Sequence, residues 1–492
     1  MTTARADLFH PCRFPLQAAR DEFISSRLDT LGNARWWKVF VQQFFIPGIA
    51  QSSYLIGAGS TCAVVDPARD VDRYLDAAGE LDLAITHVFE THLHADFVSG
   101  HMELAETAGA TICAPASGRC EFEHQAVQDG TEFGVEELHI TVLDTPGHTP
   151  DGVTYVVMDP TRGDEPAAAF TGDALFVGDV GRPDLFPGQS RELAAMLYDS
   201  LHEKIMTLPD ACLVFPGHGA GSLCGRAMGA MRFSTIGYER RHNTALQQKS
   251  REKFVESMTR NMPPAPDHFS RCSEINRRGP DLVRNLPGTR PMRPAEFRAR
   301  AEAGDAVVLS IRDYATFGGV HVPGSYHIDI ASNFSTYAGW VLPPDREILL
   351  VADSPAQVRE AVVQLRRVGL DRAVGYLVGG THAWAIAGYP TDHVRQLSPA
   401  ETHAMVEEGG TVLVDVRFPD EFEEHHLEGA VNIPAMDLRT RHAELPTDRP
   451  LIVMCRTGQR SSLACSLLKQ AGFAEVHNAA GGVTGYLAAG YS

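Results

Sequence analysis

The sequence predicts a multidomain α/β protein, and three observations predict it. The chain has 492 residues, the length of about three ordinary domains. Four apolar, strand-like runs each end in Thr, Pro or Gly and then a metal-capable side chain. The final stretch, roughly 200 residues, holds an internal repeat in which strands and helices alternate.

Composition bounds the function. The chain is 44% hydrophobic and 21% charged, as in globular protein. No run approaches the roughly 18 to 20 apolar residues of a membrane span. The net charge of −19 argues against a nucleic-acid partner. The N-terminal MTTARADLFHPCRF lacks the apolar core of a secretory signal, and Asp7, Asp21 and Glu22 argue against a transit peptide. Nine cysteines, odd in number and without a CxxC pair, suit a reducing compartment, so a cytoplasmic location is expected.

Residues 1–35 show no clear period and read as an extension or a partner helix. From Trp36, KVFVQQFF, SSYLIG and TCAVVD read as strands, DVDRYLDAAGE as a helix and ITHVFET as a strand. ITHVFETHLH, ITVLDTPGH, AAAFTGD and ACLVFPGH then deliver His92 and His94, His148, Asp173 and His218. These ends are 56, 25 and 45 residues apart, so several strands must converge to unite them. Imidazoles and carboxylates on short loops at strand ends suit Zn, Fe or Mn. NTALQQKSREKFVESMTR predicts an amphipathic helix, and the proline-rich pieces NMPPAPDHF and RRGPDLVRNLPGTRP read as a linker over 263–290.

In the repeat, Arg312 pairs with Arg417 and His321 with His426, each 105 apart; Gly379 pairs with Gly481 and Gly388 with Gly490, each 102 apart. In the second copy, LIVMCRTGQRSSLACSLLKQAG reads as strand, tight loop and helix, with Cys455 at the strand end and Ser461 starting the helix. Loop N–H groups, the helix N-terminus, Arg456 and Arg460 would favour a thiolate, a persulfide or an incoming sulfur oxyanion. A Cys-x5-Arg phosphate loop would need arginine at 461, where Ser461 stands. Cys465, inside the helix, reads as core. In the first copy the cysteine position holds Asp353, and Ser354 and Val358 stand for the two arginines. A carboxylate cannot carry sulfane sulfur and repels anions.

Residues 36–262 resemble the metallo-β-lactamase superfamily, through HxHxD (His92, His94, Asp96), TPGH, TGD and PGH. The resemblance implies an αββα sandwich with the metal between its sheets. Two-metal hydrolases of that superfamily have HxHxDH, whereas this chain has Phe97 at the last position. The chain is more similar to the persulfide dioxygenases, which implies one Fe(II) per chain held by His92, His148 and Asp173. That set is a 2-His-1-carboxylate triad with open positions. His94, Asp96 and His218 would then orient ligands or bind substrate. GRPD suggests Arg182 as the anchor for a substrate carboxylate or phosphate, its alternative being a loop salt bridge with Asp184. Cys224, in PGHGAGSLCGR, reads as a buried or a reactive thiol. DVRFPDEF, HLEGAVNIP and the Cys455 loop resemble an active rhodanese.

The expected organisation is therefore an extension (1–35), a persulfide dioxygenase domain (36–262), a linker (263–290), an inactive rhodanese-like domain (291–393) and an active one (394–492). The implied partners are a low-molecular-weight persulfide of glutathione or coenzyme A type, O2, and sulfite or thiosulfate. No nucleic acid or membrane partner is expected, and a homo-oligomer is. The alternative is a zinc thioester hydrolase of the glyoxalase II type with rhodanese modules, against which Phe97 argues.

Overall fold

Six strands follow one another in chain order across the first sheet of the computed structural model: β1 Val39–Ile46, β2 Gln51–Ala58, β3 Thr61–Val65, β4 Ala84–Phe89, β5 Thr111–Pro115 and β6 Gln125–Val127. The structure describes residues 39–160, 163, 165–260, 262 and 264–491; the extension expected over 1–35 lies outside them. A second six-stranded sheet is also laid out in chain order: β7 Glu132–Val135, β8 Leu138–Asp144, β9 Val153–Met158, β10 Pro166–Gly172, β11 Leu213–Pro216 and β12 Ser234–Thr235.

Alternation along these strands builds a four-layer sandwich. Tyr54, Ile56, Val65 and Phe89 from the first sheet meet Ile140, Val142, Tyr155 and Phe170 from the second in one core. The opposite-facing residues Leu55, Cys62, Val64 and Val88 pack under helices Asp72–Glu80 and His101–Ala108. Val156, Ala169 and Val214 pack under helices Ser190–Asp199 and Arg251–Met258. The expected αββα layering is present. The helix expected over 244–260 is shorter, because Ser250 caps a fresh start at Arg251, accepting from the Lys253 N–H at 3.4 Å.

Each repeat copy forms a five-stranded parallel sheet with the same strand order: first, fifth, fourth, second, third. The first copy has β13 Arg290–Met292, β14 Ala306–Ser310, β15 Tyr326–His327, β16 Glu347–Val351 and β17 Ala373–Leu377. The second has β18 Arg395–Leu397, β19 Val412–Asp415, β20 Val431–Asn432, β21 Leu451–Met454 and β22 Val476–Ala479. One apolar core runs through both, from Leu309, Phe317 and Leu350 to Val414, Val453 and Leu467.

The stretch read as a linker holds an eleven-residue helix, His268–Arg278. Phe269, Cys272 and Asn276 are buried on one of its faces, a helical spacing that the flanking prolines obscured. No helix among the described residues is long and apolar enough to cross a membrane.

Candidate metal centre and sulfur-transfer loop

The ends of β4, β8, β10 and β11 converge where the two sheets meet. His92 lies three residues beyond β4, His148 four beyond β8, Asp173 directly after β10 and His218 two beyond β11. All four are buried. Asp173 Oδ2 lies 3.3 Å from His148 Nε2 and 4.0 Å from His92 Nε2.

Hydrogen bonding sets the tautomers. The Thr91 hydroxyl donates to Asp66 Oδ2 at 2.9 Å, so it must accept from His92 Nδ1, 3.0 Å away. His148 Nδ1 donates to the Arg182 carbonyl at 2.8 Å. Each ring therefore presents a bare Nε2, and both nitrogens are buried without a partner. Burial pushes both imidazoles below their usual range, helped at His92 by the neighbouring His94, so both are neutral. Burial alone would raise Asp173, but the charged His218 and its hydrogen bond outweigh it and hold the carboxyl ionised. Two neutral imidazoles and one carboxylate, with orphaned lone pairs converging, fit a divalent metal.

Glycines make room for these ligands. Gly172 has φ +50° beside Thr91, and a Cβ on Gly217 would lie 2.6 Å from Asp173 Oδ1. A small cavity lined by His92, His148, Thr149 and Asp173 opens beside the three ligands.

His94 falls in a second cluster: its Nε2 lies 3.0 Å from Asp66 Oδ1 and 3.4 Å from Glu90 Oε2. The Phe97 ring is fully buried, 4.3 Å from the His94 ring, and packs with Ile46, Ile49 and Ala68. It forms an apolar wall. His218 bridges two carboxylates, with Nδ1 2.8 Å from Asp173 Oδ1 and Nε2 2.7 Å from Asp96 Oδ2. Burial opposes its protonation, but Asp173 and Asp96 push it up to about 10. Arg182 forms the loop salt bridge, its fork on Asp184 at 2.7 and 2.8 Å, and also donates to the Leu223 carbonyl at 3.1 Å.

The HLHADF loop is tied down by residues the sequence reading passed over. The Asn276 amide donates to the carbonyls of His94 and Phe97, each at 2.8 Å, and accepts from the Ser99 N–H at 2.9 Å. The Val98 N–H donates to the Arg367 carbonyl in the first repeat copy at 2.6 Å. An Asn one helical turn beyond Cys272 was the available signal for the first tie; nothing local marks the second.

The other site begins at the end of β21. The Gly458 N–H and the Ser461 hydroxyl point to Cys455 Sγ at 3.1 and 3.3 Å. Gly458 has φ +102°, a conformation that favours glycine. The helix starts at Gln459, two residues before the expected Ser461. Arg460 is more constrained than the sequence suggested: its guanidinium grips Glu421 at 2.5 and 2.7 Å. Arg456 is exposed, and Cys465 is buried as expected.

Cys455 is only 1% exposed, because the first copy packs onto its loop. The Tyr314 ring reaches within 3.3 Å of a Cβ built on Gly458. Gln459 Nε2 donates to Asp329 at 3.3 Å, and Ser462 Oγ pairs with His327 Nδ1 at 2.9 Å. The equivalent Asp353 in the first copy is exposed, and its N–H is satisfied by Gln357 at 2.9 Å.

Residues 46–218 match the metallo-beta-lactamase superfamily, and residues 293–387 and 398–489 each match the rhodanese-like domain. Over 245 residues the chain is 31% identical to the persulfide dioxygenase ETHE1, mitochondrial, of Bos taurus, spanning 49% of this chain and 88% of that protein. A crystal structure of a metallo-beta-lactamase from Staphylococcus aureus is 32% identical, covers 69% of this chain and 99% of its own, and superposes with a TM-score of 0.63. A hydroxyacylglutathione hydrolase of Methylococcus capsulatus is 36% identical over 166 residues, 33% of this chain and 58% of that protein.

Proposed function

Given that the chain belongs to the persulfide dioxygenase family of the metallo-beta-lactamase superfamily, with two rhodanese domains following, we propose that it oxidises low-molecular-weight persulfides at His92, His148 and Asp173 and transfers sulfane sulfur at Cys455. The observation that carries the first half is the pair of bare, buried Nε2 atoms facing one carboxylate oxygen. Fe(II) held there would supply adjacent open positions for a persulfide sulfur and O2. The balanced reaction takes RSSH, O2 and water to RSH, sulfite and two protons.

The chain's own residues do the rest. Thr91 and the Arg182 carbonyl hold the two imidazoles in the ligating tautomer. Asp66 and Glu90 keep His94 in place, and Phe97 closes one wall against water. His218 and Asp96 brace the far oxygen of Asp173.

At the second site the Cys455 thiolate attacks the outer sulfur of a persulfide. RSH leaves, and a cysteine persulfide forms. Sulfite then takes that sulfur, giving thiosulfate and restoring the thiolate. The Gly458 N–H and the Ser461 hydroxyl stabilise the anion at each stage. Asp353 supports reading the first copy as chemically inactive, with its face serving as the wall over Cys455.

The test starts with anaerobic purification, metal analysis and O2 uptake on adding glutathione persulfide. About one iron per chain with persulfide-dependent uptake and sulfite or thiosulfate release is expected. Zinc in place of iron, with cleavage of a glutathione thioester and no uptake after iron loading, would replace this reading with the hydrolase. Cys455→Ala should abolish thiosulfate:cyanide transfer and leave O2 uptake in place; retained transfer would remove Cys455 from its role.

A further inference from the structure

Most donors around Cys455 are already engaged. The Gly458 N–H and the Ser461 hydroxyl point to Sγ, and both terminal nitrogens of Arg460 are held by Glu421, whose carboxylate offsets the charge. Those contacts serve the cysteine sulfur and the loop. Sulfite brings oxygens and negative charge of its own, and these need a donor as well.

The first repeat copy offers one. In its helix Phe334–Val341, Phe334, Ala338 and Val341 are buried in the apolar core. Tyr337 and Trp340, one turn apart, share a neighbouring face. Trp340 stacks on Phe418 of the second copy, with ring centroids 6.2 Å apart and planes 28° apart, and its carbonyl accepts from Arg439 at 2.6 Å. Thr336 donates to the Gly48 carbonyl, just after β1, at 3.3 Å, so the helix is fixed from two sides. Arg460 stands over the same Phe418 ring, 5.9 Å from its centre. Tyr337 packs against the core that contains Cys455, within electrostatic reach of Arg460, Cys455 and Glu421. No described residue hydrogen-bonds to its hydroxyl. Burial raises the phenol, against the pull of Arg460 and with the push of Cys455 and Glu421, so the O–H keeps its proton.

We propose that Tyr337 is a specificity-determining residue of the sulfur-transfer site: its hydroxyl, supplied by the first copy, donates to an oxygen of the sulfite that takes sulfur from Cys455. The assignment rests on the sulfur transfer proposed for Cys455. The sulfite sulfur forms a bond to the sulfane sulfur, the bond from that sulfur to Sγ breaks, and its electron pair returns to Sγ as the thiolate. The phenol holds the oxygens throughout and gives up no proton. Neither a persulfide donor nor cyanide carries oxygen at its reacting atom, so the hydroxyl separates sulfite from both. The copy without a cysteine keeps a part in its neighbour's reaction.

Single-turnover transfer under nitrogen tests it on the full chain, since without O2 the metal centre consumes no persulfide. Glutathione persulfide loads Cys455, the excess is removed, and the loaded protein is mixed with sulfite or with cyanide. Thiosulfate or thiocyanate is then followed, with Cys455→Ala as the blank. Tyr337→Phe keeps the ring and removes the donor. It should load normally and pass sulfur to cyanide at the unaltered rate, while transfer to sulfite slows about tenfold or more, as expected for losing a hydrogen bond to an anion. An unchanged sulfite rate overturns the proposal. So does an equal slowing with both acceptors, which would make Tyr337 a packing residue only. Unsubstituted protein that passes sulfur to neither acceptor removes the Cys455 reading, and this assignment with it.

Discussion

Thr91 shows how much one hydroxyl can decide. It has a single proton and gives it to Asp66, so its lone pairs must take the His92 Nδ1 proton. That leaves Nε2 bare where the metal belongs. Thr91→Val keeps the shape and removes both bonds. It should weaken metal binding about 10- to 100-fold, the usual effect of losing such a partner; equilibrium dialysis against a chelator would measure it. Rhodanese transfer at Cys455 should be unchanged in the same preparation. Arg460 is the counterpart at the second site. Its fork on Glu421 is mostly shielded from water, and Arg460→Gln should slow sulfur transfer about tenfold or more, as expected for losing a charge-assisted bond. A thiosulfate:cyanide assay of the variant would show it. The candidate ligands could be picked out in the sequence because each follows a run of apolar residues that reads as a buried strand. Thr91 and Glu421 could not, since a threonine beside a histidine and a glutamate on a short helix carry no pattern of their own.

Among elements, the strand-end loops matter more than the strands. Gly217 donates its N–H to the Gly172 carbonyl at 2.8 Å, joining the ends of β10 and β11, and accepts from the Ser52 N–H at 2.7 Å. A side chain at 217 would push on Asp173. Gly217→Ala should therefore lower metal occupancy severalfold while leaving the rhodanese transfer rate unaltered; metal analysis and the transfer assay on one sample would check both. The two parallel sheets follow from the repeat and its alternation of strands and helices, whereas the αββα layers were implied by the resemblance that HxHxD, TPGH, TGD and PGH carry. The helix His268–Arg278 was not legible, because its charged face and flanking prolines read as linker. Its value lies in Asn276, whose contacts are about 180 residues away in sequence. Local pattern cannot report a bond of that range.

At the scale of the whole molecule, the first repeat copy touches both centres. Arg367 gives its carbonyl to Val98 in the metal loop and its guanidinium to Asp70, twice at 2.7 Å. Arg69 reaches Asp371 at 2.8 Å. Other residues of the same copy, Tyr314 and Asp329, meet the Cys455 loop. Arg367→Ala should cost about 1–3 kcal/mol by denaturant unfolding, between the exposed and fully buried limits for an ion pair. Burial would raise the Asp70 carboxyl, but Arg367 and then Arg73 outweigh it and hold it below its ordinary range. The stability this pair gives is therefore complete above about pH 4 and fades as acid takes the pH through the lowered folded value. Asp70→Asn should flatten that part of the stability profile in an acid titration of unfolding. An unchanged slope would mean the pair contributes nothing.

The shared core of the two repeats also has a consequence in time. A chain leaves the ribosome from its N-terminus, and domains tend to fold in that order. Tyr314, His327 and Asp329 are synthesised well before Cys455. The surface that will shelter the sulfur can thus be finished while the cysteine is still being made. The newborn thiol meets its cover as it folds, and its exposure to oxidants in the cell is brief from the start.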